Sequence, residues 1–236
     1  MVSFSRVIAF VLFLSLAIGV TAFAGTVTGT INFKGKKPAP IMIKMSADAK
    51  CVSMHKGQDI ASQVVTVNPN NTLKDVFIYV KKGLEGKKFP VPTQKITITQ
   101  EGCMYHPHVF GMMANQPLEI INNDQTLHNI HALPKNSKEF NLAQPKQGMK
   151  MTKTFDKPEV MVKLKCDVHN WMAAYVGVLD NPFYAVSDDK GSFTIKGLPA
   201  GDYEIEAWHE KYGTQTMKVT VGASDTKTVD FTVTGQ

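Results

Sequence analysis

Downstream of Gly25 the chain is written in short runs rich in Val, Ile, Thr, Phe and Tyr, separated by clusters of Gly, Pro, Asn and Asp. That rhythm leaves little room for long helices and specifies an all-β protein of packed sheets. It predicts strands over 26–33, 40–45, 64–67, 75–80, 95–99, 117–122, 128–133, 149–155, 159–165 and 174–179. A second set covers 183–187, 192–195, 201–209, 214–221 and 227–233. One turn of helix is expected near Asp59–Gln63, and the Lys-, Asn- and Gln-rich stretch Lys135–Gly148 reads as a long surface loop. A boundary is expected at Asn181-Pro182, dividing the chain into 25–180 and 181–236. The segment after it is short for an independent core, so it must pack on the first domain or borrow residues 26–33 for its own sheet.

Residues 1–24 read as a secretory signal. Arg6 precedes an uncharged apolar run, and Ala22-Phe23-Ala24 supplies the small-x-small cleavage pattern. Retained, the same run is barely long enough to anchor the chain in a membrane. Export places the protein in the periplasm or outside the cell, where disulfides persist. Three cysteines make an odd set. Pairing Cys51 with Cys103 leaves Cys166 free for a metal; the alternative puts Cys103 in a metal site with His106 and His108, to which His55 could add. The net charge of +6 comes from lysines scattered along the chain. That dispersal argues against nucleic acid and suits steering toward an acidic partner.

Cys166-Asp167-Val168-His169-Asn170-Trp171-Met172 brings a thiol, an imidazole and a thioether within seven residues. The predicted strands on either side make it a tight loop, so its three donors can converge on one ion. Thr126-Leu127-His128-Asn129-Ile130-His131 supplies further imidazoles. One Cys, two His and a Met form the ligand set of a mononuclear type 1 copper site, in which soft sulfur donors favour Cu(I) and imidazoles suit both oxidation states. His128 and His131 lie three apart, so on one strand they face opposite ways. His128 is assigned to the metal and His131 to packing or to a supporting contact.

Cys-x-x-His-x-x-Met resembles the C-terminal ligand loop of the cupredoxins, at the short spacing of the amicyanin group and not the longer spacing of plastocyanins. Leu127-His128-Asn129-Ile130-His131 resembles the stretch around the first copper histidine of the same group. The resemblance covers about Asn115 to Asp180 and implies a Greek-key β-sandwich. It implies His128, Cys166 and His169 as equatorial ligands, Met172 as the weak axial ligand, and Asn129 as a tie between the two ligand loops. The chain departs from the pattern at Leu127, where Pro is usual, and at Asn170-Trp171, where a Pro-Phe pair is usual. Asp189–Tyr203 resembles the carboxypeptidase regulatory-like, transthyretin-like β-sandwich. Gly25–Ile31 is similar to the first strand of such a module, which would insert the copper domain within it.

The expectation is therefore an exported electron carrier and not an enzyme. Its redox partner would be a c-type cytochrome or a periplasmic dehydrogenase or oxidase, with the ring of His169 as the exposed exit. Met113, Leu127, Trp171 and Ala173 would form the docking patch around that ring. The alternatives are a copper-binding or delivery protein and a structural β-sandwich module. Trp208-His209-Glu210 is expected to make a structural or interdomain contact, and His108 to pack beneath the copper loop.

Overall fold

A computed structural model describes residues 24–235; the expected signal, save Ala24, lies outside the described residues. The first strands are β1 (Gly25–Lys34), β2 (Met42–Ile43) and β3 (Ile60–Ala61), with a short helix, α1 (Ala49–Met54), between the last two. There follow β4 (Phe77–Lys82), β5 (Ile96–Glu101), β6 (Met104–His106), β7 (Val109–Met113), β8 (Leu118–Asn122) and β9 (His128–Leu133). Next come β10 (Phe140–Gln144), β11 (Lys150–Lys153), β12 (Glu159–Lys165) and β13 (Ala173–Leu179). The chain closes with β14 (Tyr184–Val186), β15 (Ser192–Leu198), β16 (Gly201–His209), β17 (Gly213–Val221), β18 (Thr226–Thr228) and β19 (Phe231–Thr234).

These strands build two β-sandwiches, the all-β architecture that the turn rhythm demands. In the first, the sheet β10-β9-β12-β13-β7 belongs with the sheet β11-β8-β5-β6. Ile98, Leu118, Ile120, Ile130, Val162, Leu164, Ala174 and Val176 meet in one buried core. The parallel pairs β13–β7 and β5–β8 cannot be closed by hairpins, so the chain crosses between the sheets. That crossing brings the loop before β9 and the loop between β12 and β13 to one end.

The second sandwich takes β15, β1, β18 and β19 on one side and β14-β4-β16-β17 on the other. β1 alternates buried and half-exposed residues, placing Val27, Ile31 and Phe33 in the second core, as a strand wetted on one face requires. Since β1 and β4 pair with strands that follow Asn181, the division at 181 does not follow the sheets. The second sandwich draws on both ends of the chain, as the likeness of Gly25–Ile31 to a first strand suggested.

Other local expectations need correction. The helix lies at Ala49–Met54 and not near Asp59–Gln63, where β3 forms instead. Asp48 explains its position: its side chain accepts the backbone N–H groups of Lys50 (2.8 Å) and Cys51 (3.3 Å) as an N-cap. The stretch read as a surface loop contains β10, an edge strand paired along β9. Phe140 and Leu142 lean on the first core, Asn141 and Ala143 are exposed, and only Gln144 of the strand is buried.

Phe77, Tyr79, Val109 and Leu179 form a third buried cluster, which joins the two sandwiches. Gly111 and Gly177 make that contact possible. A β-carbon at Gly111 would lie 2.3 Å from the Tyr184 ring, and one at Gly177 would lie 2.2 Å from the Phe77 ring. Any larger residue would push the aromatic layer off the first sandwich.

Candidate metal centre

The loop Cys166–Met172 follows β12 directly and is closed on itself. The Met172 amide donates to His169 O (2.9 Å), the Cys166 amide donates to Met172 O (3.2 Å), and the His169 amide points at Cys166 Sγ (3.3 Å). A second turn, 122–126, precedes β9. Asn122 organises it, donating to Thr126 O (2.9 Å) and Gln144 O (2.8 Å) and accepting from the Asp124 amide (2.9 Å). The two turns bring His128, Cys166 and His169 together, all buried, with their donor atoms within 4.8 Å of one another.

The two histidines approach through the same atom. His128 Nδ1 and His169 Nδ1 lie 2.9 Å apart, and Cys166 Sγ is 3.9 Å from His169 Nδ1. Their far nitrogens are tied to carboxylates. Nε2 of His128 lies 2.8 Å from Asp124 Oδ2, and Nε2 of His169 lies 3.0 Å from Asp48 Oδ2. A carboxylate can only accept, so each ring carries a proton on Nε2 and aims Nδ1 at the thiol; Nδ1 atoms 2.9 Å apart need a proton between them in the metal-free site, one that a metal would displace. A carboxylate on one ring nitrogen, with the other nitrogen aimed at the remaining donors, is how metal-binding histidines are commonly oriented.

The electrostatics agree. Burial pushes the Cys166 thiol up, but hydrogen bonds from His128 and His169 outweigh it and lower the thiol to about 6. Burial lowers both histidines, yet Asp124 and Cys166 raise His128 on balance, and Cys166 and Asp48 raise His169. Burial works against the charged form of Asp124, but His128 and the backbone amides of Cys103 and Gly102 hold its carboxyl below the usual range. Chiefly through its hydrogen bond with His169, Asp48 is also lowered. The site is thus a thiolate hydrogen-bonded to two imidazoles in a dry pocket, a donor set that suits copper or zinc once the shared protons leave. Met172 is fully buried in the same core.

Asn129 bridges the two turns. Its Oδ1 accepts the Asp167 amide (2.7 Å) and lies 3.2 Å from Cys166 Sγ, while its amide donates to Asn141 Oδ1 (2.6 Å). His131 stands apart from the donors. Its ring bonds Asp167 (2.9 Å) and Glu139 (2.6 Å) and so braces the residue next to Cys166.

Cys51 and Cys103 form a disulfide with a Cα–Cα distance of 5.7 Å. Cys103 is therefore not free to join His106 and His108 at a metal. His106 is exposed, His108 turns toward the other sandwich, and His55 bonds Gly102 O (2.7 Å). The disulfide pins α1 over the site, and that changes the expected exit. The His169 side chain is only 2% exposed, lying under Asp48 and 3.5 Å from Cys51 Sγ. The Trp171 ring packs against it at 5.1 Å and donates from Nε1 to Cys103 O (3.0 Å). Met113 is buried in β7 and cannot line a docking patch. The exposed apolar residues beside the centre are Leu127 (41%) and Val168 (49%).

Asp48 and Asp124 are the functional residues that motif reading missed. Asp48 carried a signal as a helix N-cap and Asp124 as a turn residue, but neither signal speaks of a histidine that is distant in sequence.

Fold and site define an all-β protein of two sandwiches with a buried thiolate–imidazole centre at one end of the first. Residues 173–234 match the carboxypeptidase regulatory-like domain, a match that begins in β13, a strand of the first sandwich. Among solved structures, the chain is similar to a purple cupredoxin from Nitrosopumilus maritimus at 22% identity, covering 35% of this chain and 97% of that one, with a TM-score of 0.30. It is similar to an amicyanin variant in the Cu(I) state at 20% identity, covering 37% and 85%, with a TM-score of 0.32. A copper-containing nitrite reductase from Thermus scotoductus SA-01 shares 16% identity over 42% of this chain, with a TM-score of 0.35. The chain spans about a quarter of that reductase, 26% of its length. No curated protein matches the chain significantly.

Proposed function

We propose that this chain is an exported one-electron carrier whose mononuclear type 1 copper is held by His128, Cys166 and His169, with Met172 as the weak axial donor. The observation that carries the reading is the convergence of two Nδ1 atoms and the Cys166 Sγ within 4.8 Å, each ring fixed by its own carboxylate. Copper bound there would cycle between Cu(I) and Cu(II). The protein's part is to keep the donors still. Asp124 and Asp48 hold the rings, Asn129 holds the Cys166 turn, and the disulfide-pinned α1 keeps water out. Donors fixed in this way need little rearrangement when the charge at the centre changes.

Electrons enter and leave beside Leu127 and Val168, neighbours in sequence of the two ligand histidines. The partner is a redox protein of the cell envelope, such as a c-type cytochrome or a periplasmic dehydrogenase or oxidase. The cellular location follows from the signal read in the sequence; among the described residues no helix is long and apolar enough to cross a membrane.

Burial of His169 under α1 favours a resident ion over one handed on, and the difference is measurable. The copper-loaded protein is cycled repeatedly between ascorbate and ferricyanide in the presence of a strong Cu(I) chelator. A carrier keeps its full copper content and returns to the same spectrum each time. Loss of copper to the chelator in the reduced state would instead make it a delivery protein.

A further inference from the structure

The second sandwich reaches the copper loop through one chain of contacts. Glu210 follows β16 directly, and its Oε1 lies 2.5 Å from His108 Nε2. Both side chains are nearly buried, at 10% and 5% exposure. On the other side of the ring, His108 Nδ1 lies 3.0 Å from the carbonyl oxygen of Ala173. That oxygen can only accept, so Nδ1 donates to it and Nε2 is left facing the Glu210 carboxylate. Ala173 directly follows Met172. The Tyr175 amide also donates to His108 O at 2.8 Å, so His108 grips the start of β13 by backbone and side chain together. Tyr175 lies between the rings of His108, edge-on at 6.0 Å, and Trp208, tilted at 5.1 Å.

The Met172 backbone is already committed to the loop, its amide to His169 and its carbonyl to Cys166. His108 holds the peptide that follows, through Ala173 O, so the backbone that carries the Met172 thioether is anchored to the second sandwich on its β13 side. We infer that Glu210 is a positioning residue for the copper loop: acting through His108, the second sandwich fixes Met172 and thereby tunes the reduction potential of the centre. This rests on the copper reading above. It gives the second sandwich a task beyond packing, since the axial donor is a principal lever on the potential of such sites.

The test compares two buried carboxylates of the same hairpin. Glu206 is also buried and bonds Tyr79 (2.6 Å), Lys81 (2.6 Å) and Thr216 (3.1 Å), with none of these partners in the copper loop. Full-length Glu210→Gln and Glu206→Gln proteins are loaded with copper, and their potentials, visible spectra and melting temperatures are measured. In the metal-free proteins, the Met172 methyl resonance is followed by NMR. Both variants are expected to melt earlier. Glu210→Gln alone is expected to shift the Cu(II)/Cu(I) equilibrium constant several-fold, tenfold being 59 mV for one electron. It alone moves the Met172 methyl. A Glu210→Gln protein with the wild-type potential and an unmoved methyl overturns the inference. If that variant does not fold, Glu210→Asp is read by the same criteria, because its shorter side chain keeps the charge but draws on His108. A wild-type protein with no blue band would remove the copper reading and this inference with it; a blue wild type with an indifferent Glu210→Gln removes the inference alone.

Discussion

Cys166 gains its chemistry from its neighbours, and that dependence has a pH signature. Its thiol is lowered to about 6 in the folded metal-free protein, against about 8.5 in an unfolded chain. Between those values the unfolded state holds the proton and the folded state does not, so this group makes stability rise with pH. His128 and His169 are raised, so they contribute stability at low pH that is lost as pH rises through their folded values. The stability difference between metal-free wild type and Cys166→Ala should therefore widen from about pH 6 to about pH 8.5, as measured by urea unfolding at a series of pH values. A difference that narrows over that window would mean the thiol is not held as thiolate. Asp124 acts one bond further out. Asp124→Asn is expected to weaken copper binding about 10- to 100-fold, measured by competition with a chelator, while the thiolate–copper band stays in place.

At the scale of elements, the account turns on α1. Six residues cannot form a stable helix alone; Asp48 caps this one and the disulfide ties it down. The disulfide joins residues 52 apart in sequence, and in the chain-entropy picture it contributes about 4 kcal/mol. The double variant Cys51→Ser, Cys103→Ser is expected to lose stability on that order and to release copper faster, because His169 loses its cover. Stopped-flow transfer of copper to a chelator checks this, and an unchanged release rate would mean that α1 is not a cap. The sequence made the strands legible because alternation and turn residues are local signals. It made the ligand loop legible because one short segment holds three of the four donors. The cap was not legible: Asp48-Ala49-Lys50-Cys51 announces a helix start but not what the helix lies against. β10 was hidden for a related reason: its alternation, Phe140 and Leu142 inward against Asn141 and Ala143 outward, is only five residues long and sits among Lys, Asn and Gln.

The whole molecule is two sandwiches, the first built from the middle of the chain and the second from both ends of it. A protein ending at residue 180 would strand β1 and β4 without partners and is expected to be insoluble or readily proteolysed. Recovery of a soluble, protease-resistant fragment of that length would contradict the pairing. Gly177→Val should uncouple the sandwiches, since even a β-carbon there meets Phe77 at 2.2 Å; an overpacking cost of about 1–3 kcal/mol is expected in thermal unfolding. All of this scaffolding serves one centre. The most direct measurement is the visible spectrum of residues 25–236 on adding Cu(II), beside Cys166→Ser. An intense thiolate-to-copper band near the red, absent from the variant, is the result expected. A folded wild-type protein that takes up copper without that band, or a variant that keeps it, would contradict the assignment of Cys166 to copper.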